Sequence, residues 1–180
     1  MDDPDGLLVR RARRGDGDAF ARLVERHERR LFTLAAQVLG SRSDAEDAVQ
    51  EALVRAWRSL PRFREGSRFS TWLYRITVNC ALDLRAARRA DPSDLVAERA
   101  DPRDPFAARE LSDDLQRALS AIEEPYRVAV VLFDVLGCSY AEIAEIIGVP
   151  EGTVKSRIFR GRRDLAQELG TSGVEARSNQ

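Results

Sequence analysis

The chain has 180 residues, 43% of them hydrophobic and 33% charged, with a formal net charge of −1. That composition fits a folded, helix-rich protein of one domain or two small ones, and it excludes a polycation, so any nucleic-acid surface must come from charge gathered into patches. No apolar run is long enough to span a membrane and the start MDDPDG is not a signal peptide, so a cytoplasmic protein without membrane insertion is expected.

Gly15-Asp16-Gly17-Asp18 reads as a turn and N-cap. Phe20, Leu23, Val24, His27, Leu31, Leu34, Ala35 and Val38 then keep helical spacing up to Gly40. His27 lies on that face without a second ligand or base near it, and reads as a packed or surface histidine. Ser43 or Asp44 can cap the next helix, whose buried side is Ala45, Val49, Ala52, Leu53, Ala56 and Leu60. Asp47, Gln50, Glu51, Val54 and Arg58 lie opposite. Acids near a helix N-terminus complement its dipole; here they also form a polar patch beside an exposed valine, a surface that could dock a partner helix.

Phe63 to Phe69 is a loop pivoting on Gly66, and Ser70 is expected to cap a long helix through about Arg89. Leu73, Ile76, Thr77, Cys80, Leu84 and Ala87 form its core side. Phe63, Phe69, Trp72 and Tyr74 cluster with Arg64, Arg68 and Arg75. Aromatics interleaved with arginines can stack exposed bases and neutralise phosphates, as single-strand binders do. Each aromatic taken alone reads as core.

From Ala90 to Arg109 the pattern fails. This stretch holds three prolines and five acids against three arginines. It reads as a flexible, net-acidic linker over 91–110. It separates a first domain, 1–90, from a second, 111–170, with 171–180 expected to be a disordered tail. Leu111, Leu115, Ala118, Leu119 and Ile122 resume helical spacing, and Pro125 opens a further helix that Gly137 stops.

Ser139 with Glu142 is a capping box. Gly148-Val149-Pro150 ends that helix, and another begins near Glu151. Short helix, tight turn and second helix are the form of a helix-turn-helix. Val154, Ile158, Gly161, Leu165 and Leu169 make the packed side of the second helix. Ser156, Phe159, Arg160 and Arg163 lie on the other, flanked by Lys155 and Gln167. An outward basic helix suits the DNA major groove. Phe159, a large ring on the wet face, calls for a partner. The fold class is therefore all-α: two small helical domains joined by an acidic linker, the second a helix-turn-helix domain.

Three stretches, DAEDAVQEA (Asp44 to Ala52), FSTWLYRITVN (Phe69 to Asn79) and GTVKSRIFRGRRDL (Gly152 to Leu165), resemble the extracytoplasmic-function (ECF) sigma factors of bacteria, in that family's order and spacing. The resemblance implies a promoter-specificity subunit of RNA polymerase, regulated by an anti-sigma factor. It sets Asp47, Gln50, Glu51 and Val54 against core RNA polymerase, whose clamp helices and flap would be the partners. It sets Phe63, Arg64, Ser67, Arg68 and Asn79, with Trp72 and Arg75 of the same cluster, around the melted −10 element of promoter DNA. It sets Thr153, Lys155, Ser156, Phe159, Arg160, Arg162 and Arg163 at the −35 duplex. It implies a linker that threads toward the polymerase cleft. Lys155 departs from the arginine common in the motif and lacks its bidentate fork.

Three other readings compete. An ordinary helix-turn-helix regulator leaves the first half unexplained. An adaptor that only sequesters an anti-sigma partner need not keep a basic recognition helix. An enzyme lacks its constellation: there is one histidine, no Gly-rich phosphate loop and no cluster of metal ligands, so no catalytic residues, cofactor, metal or small-molecule substrate are expected. Cys80 and Cys138 lie far apart and are expected to be buried, reduced thiols.

Overall fold

In this computed structural model, residues 5–64, 66–90 and 113–178 are described. The elements among them are helices and turns, in keeping with the all-α expectation. The first half opens on α1 (Gly6–Ala12), a helix additional to those expected from the sequence. Leu8, Val9 and Ala12 make a short buried stripe against α2. Asp5, just before it, is buried against His27 (Nε2 to Oδ2 2.6 Å) and also accepts from Arg26. His27 is thus a packed histidine, edge-on to Phe69.

Helix α2 (Gly17–Leu39) starts where Asp16 accepts from the Ala19 amide at 3.0 Å, and stops at Gly40 in the left-handed conformation. Helix α3 is Arg42–Ser59. Its cap is Ser41, not Ser43 or Asp44. Only Ser41 is still extended after Gly40, and its hydroxyl accepts from the Asp44 amide. Helix α4 (Phe69–Ala90) likewise begins one residue before the expected Ser70 cap. The Arg68 carbonyl accepts from the Trp72 amide, because complete burial of Phe69 draws that residue into the first turn.

The second half holds α5 (Asp113–Ala121), α6 (Glu124–Val130), α7 (Tyr140–Ile147) and α8 (Glu151–Ser178). Pro125 sits in the first turn of α6, where its missing N–H costs nothing. The helix widens into a π turn, Val131–Val135, before Gly137 ends it at positive φ. The capping box of Ser139 and Glu142 is formed, and Gly148 closes α7 in the left-handed conformation. Helix α8 does not end at Gly170. It stays helical to Ser178, since Gly170 keeps a negative φ and no proline follows. The expected tail is therefore helix over 171–178. The linker over 91–110 and Leu111 lie outside the described residues, as do 179–180.

Packing is carried by α2, α3 and α4 in the first half, and by α6 and α7 on α8 in the second. Arg127 is 1% exposed, and its Nη1 donates to the Ser120 carbonyl in the last turn of α5. Its cation thus faces the negative end of that helix. The two halves do not sit apart. Helix α4 packs on α7, α2 meets α5, and the buried apolar residues of both halves join into one cluster. Cys80 and Cys138 are free and buried.

Candidate nucleic-acid interface

Three surfaces carry the residues singled out from the sequence. The first is the outer face of α3. Asp47, Gln50, Glu51 and Val54 are all exposed there. Glu51 accepts from Arg55 one turn on, and Arg55 also reaches Asp83. Trp57 belongs to the same face, an addition to the residues expected there. It is 39% exposed, beside a Val54 that is 43% exposed, and it leans on Phe20 with centroids 5.0 Å apart. The signal is in the spacing, since Trp57 is three residues after Val54. The face is an apolar pair rimmed by acids, suited to a partner of mixed apolar and basic character.

The second surface surrounds the start of α4. Phe63 departs from the expectation of a ring open to stack on a base. It is 4% exposed, perpendicular to Phe69 at 5.9 Å and tilted on Trp72 at 5.0 Å. The cluster forms, but with Phe63 and Phe69 inside and Trp72 half-buried. Its physical role is to hold the loop, and the loop presents Arg64 and Arg68 to solvent. Ser67 is half-buried, Arg75 is half-buried, and Asn79 is exposed. Asn79 also lines an open cleft of about 340 Å³ with Arg55, Arg58, Ser59 and Ile76. Two arginines and an amide therefore border a cleft that could take an unstacked base.

Two members of this surface have partners that no sequence pattern shows. Arg68 pairs with Glu142 at 3.3 Å and Arg75 with Glu145 at 3.8 Å, both carboxylates from α7. In the sequence Glu142 is legible only as a helix cap. A contact between residues 74 positions apart leaves no periodic trace. Although partial burial acts the other way, the hydrogen bonds from Ser139 and the charge of Arg68 hold the Glu142 carboxyl below its usual range.

The third surface is α8 in the helix-turn-helix. Val154 and Ile158 are buried, and Phe159 is 72% exposed. Lys155, Ser156, Arg160, Arg162 and Arg163 are exposed too, with Thr153 half-buried. The cations are not equivalent. Arg160 donates to the Tyr126 hydroxyl at 3.1 Å and lies over its ring. Lys155 lies over Tyr140, which is stacked on Phe133. Arg162 is gripped by both carboxylate oxygens of Asp134, and Arg163 pairs with Asp164. Ser156 donates to its own helix, to the Thr153 carbonyl. The outward set without an acidic partner is thus Ser156, Phe159 and Arg160, with Lys155 beside it, while Arg162 and Arg163 carry their own counter-charges. Among the described residues no group of His, Cys, Asp and Glu is arranged to hold a metal.

Both halves of the chain resemble known proteins. Residues 23–91 match the model of sigma-70 region 2, and residues 112–165 that of sigma-70 region 4. The chain is 39% identical to the ECF RNA polymerase sigma-E factor of Escherichia coli strain K12, covering 92% of this chain and 94% of that one. It is 34% identical to the ECF RNA polymerase sigma factor SigW of Bacillus subtilis, covering 89% and 94%. Among solved structures, the sigma factor RpoE of Bartonella quintana, in complex with the anti-sigma factor NepR, superposes with a TM-score of 0.70 at 30% identity, covering 84% of this chain and 96% of that one. Helix-turn-helix, acid-rimmed apolar face and arginine-rimmed cleft occur in one chain whose two halves match regions 2 and 4, and that chain belongs to the ECF sigma factors, which direct RNA polymerase to specific promoters.

Proposed function

We propose that the first half, residues 1–90, holds core RNA polymerase through Asp47, Gln50, Glu51, Val54 and Trp57, and reads the opened −10 strand with Arg64, Ser67, Arg68, Trp72, Arg75 and Asn79. Residues 111–170 read the −35 duplex through Lys155, Ser156, Phe159 and Arg160, with Thr153, Arg162 and Arg163 toward the backbone. The observation that carries this reading is Phe159. An aromatic ring 72% exposed on an outward helix flanked by Lys155 and Arg160 has no role in the fold. It has one against a thymine methyl or another apolar edge in the groove. Phe63 acts by holding the loop rather than by stacking.

A second reading concerns regulation. Because a similar sigma factor has been solved with an anti-sigma factor on it, this chain is proposed to take such a partner as well. Run-off transcription with core polymerase on a library of promoters tests the main reading. Transcripts starting from a shared pair of elements support it, and no transcription above core polymerase alone sinks it.

A further inference from the structure

Helix α8 lies directly on the first turn of α6. At Gly161 the two backbones come so close that a Cβ there would stand 3.0 Å from the Tyr126 carbonyl and 3.3 Å from the Tyr126 Cβ. Pro125 occupies that same first turn and restricts its backbone. The base of the Tyr126 side chain is therefore fixed against the residue that follows Arg160 in the chain. Its half-buried ring ends on Arg160: the hydroxyl accepts from Nη1 at 3.1 Å, and the guanidinium carbon lies over the ring at 5.9 Å from its centre.

The neighbouring cations of α8 are held in other ways. Lys155 lies over the Tyr140 ring and Arg162 over the Phe133 ring, at 5.4 and 5.1 Å. Arg162 is gripped by the Asp134 carboxylate as well. Arg160 has a ring and a hydroxyl, and among the described residues no carboxylate pairs with it. The difference matters for reading a base. An exposed arginine gives up rotamer freedom when it engages DNA, and that cost is subtracted from the contact. A protein partner that orders the side chain beforehand removes part of the cost. A carboxylate does this while compensating the charge. A hydroxyl takes one of the five guanidinium N–H donors and leaves enough for a paired contact to guanine O6 and N7.

We propose that Tyr126 is a positioning residue for −35 recognition: by holding Arg160 through ring and hydroxyl it sets the base preference that Arg160 carries, without touching a base itself. Part of the sequence preference is thus encoded on α6, outside the two helices of the helix-turn-helix. This inference rests on the −35 assignment proposed above, in which Arg160 reads a base.

The test uses the full-length chain and a randomised duplex pool. Affinities for the selected duplex and for each of its single-base substitutions are measured for wild type, Tyr126→Phe, Arg160→Ala and the double variant. Tyr126→Phe keeps the ring and deletes the hydroxyl, so α6 and α8 stay packed, which urea unfolding checks. Its discrimination should fall on the order of two- to tenfold, the range set by ordering one long side chain. The fall should come at the same base position that Arg160→Ala relaxes. In the Arg160→Ala background Tyr126→Phe should change nothing further. The salt slope of Tyr126→Phe should match wild type, because the cation remains. Unchanged discrimination in Tyr126→Phe, while Arg160→Ala relaxes one position, overturns the role of Tyr126 and leaves the −35 assignment standing. A loss that is equal at every position, or that persists without Arg160, also overturns it, since the tyrosine would then touch DNA or merely brace the helix. If Arg160→Ala relaxes no position, the −35 assignment fails and the proposal falls with it.

Discussion

Two arginines two positions apart on α8 show how much a single neighbour decides. Arg160 hydrogen-bonds the Tyr126 hydroxyl, whereas Arg162 is held by the carboxylate of Asp134. Arg160 therefore keeps its charge available to a base. Arg160→Ala should cost about 1–3 kcal/mol on the preferred −35 sequence and relax one position. Arg162→Ala should do less, and uniformly across sequences, because its charge is already compensated. Binding of the full chain to a randomised duplex pool at two salt concentrations separates them, and identical behaviour would reduce α8 to a plain basic patch. Glu142 offers a pH test. Its carboxyl is held below the ordinary 4.5, so its stabilising contribution is full above that value and is lost as pH falls through the lower folded-state value. Wild type should exceed Glu142→Gln in thermal stability at neutral pH, with the gap closing under acid. A gap that persists or widens on acidification contradicts the assignment.

Among the helices, α8 is placed by a glycine. A Cβ on Gly161 would stand 2.5 Å from a Val130 methyl and 3.0 Å from the Tyr126 carbonyl. Alanine gains at most about 1 kcal/mol of helix propensity, while overpacking costs about 1–3 kcal/mol. Since backbone is among the atoms met, the clash should win. Gly161→Ala should lower stability by roughly 1 kcal/mol in urea unfolding, and unaltered stability would mean that α6 and α8 can move apart freely. Helix α3 makes a different prediction. Its outward face is exposed throughout, so Asp47→Arg/Glu51→Arg should weaken binding to core polymerase with circular dichroism unchanged. Wild-type affinity would remove this face from the account.

Across the molecule, one buried cluster runs through both halves. Burial pushes the Cys138 thiol up to about 11 and the Tyr74 hydroxyl up to about 12. The Cys138 thiol also feels Arg30 and Arg68 of the first half, so it reports on the contact between the halves. Four of the interactions closing that contact are ion pairs with partly exposed groups, which salt screens. Labelling of Cys138 should therefore accelerate as sodium chloride is raised, and a flat response would assign closure to apolar contact alone.

The local signals in the chain suffice for most of its elements. Periodic apolar residues mark the helices, the Ser139 and Glu142 box and Gly148 mark the helix-turn-helix, and the outward basic face of α8 announces DNA. These features depend on neighbours within a few residues, which is why they can be read in one dimension. The spacing of Trp57 and of the short stripe in α1 is equally local, but each is too brief to stand out without its packing partner. Burial of Phe63 is not legible, because a loop aromatic has no period to show which way it points. Nor is the pairing of Arg68, Arg75, Arg85 and Arg89 with carboxylates beyond the linker, or of Arg162 with Asp134. Those are contacts between segments distant in sequence, where loop closure and side-chain packing choose the partner. Which helices form, and which face of each is polar, is written locally along the chain. Which of those charges stay free is settled only when distant segments pack together.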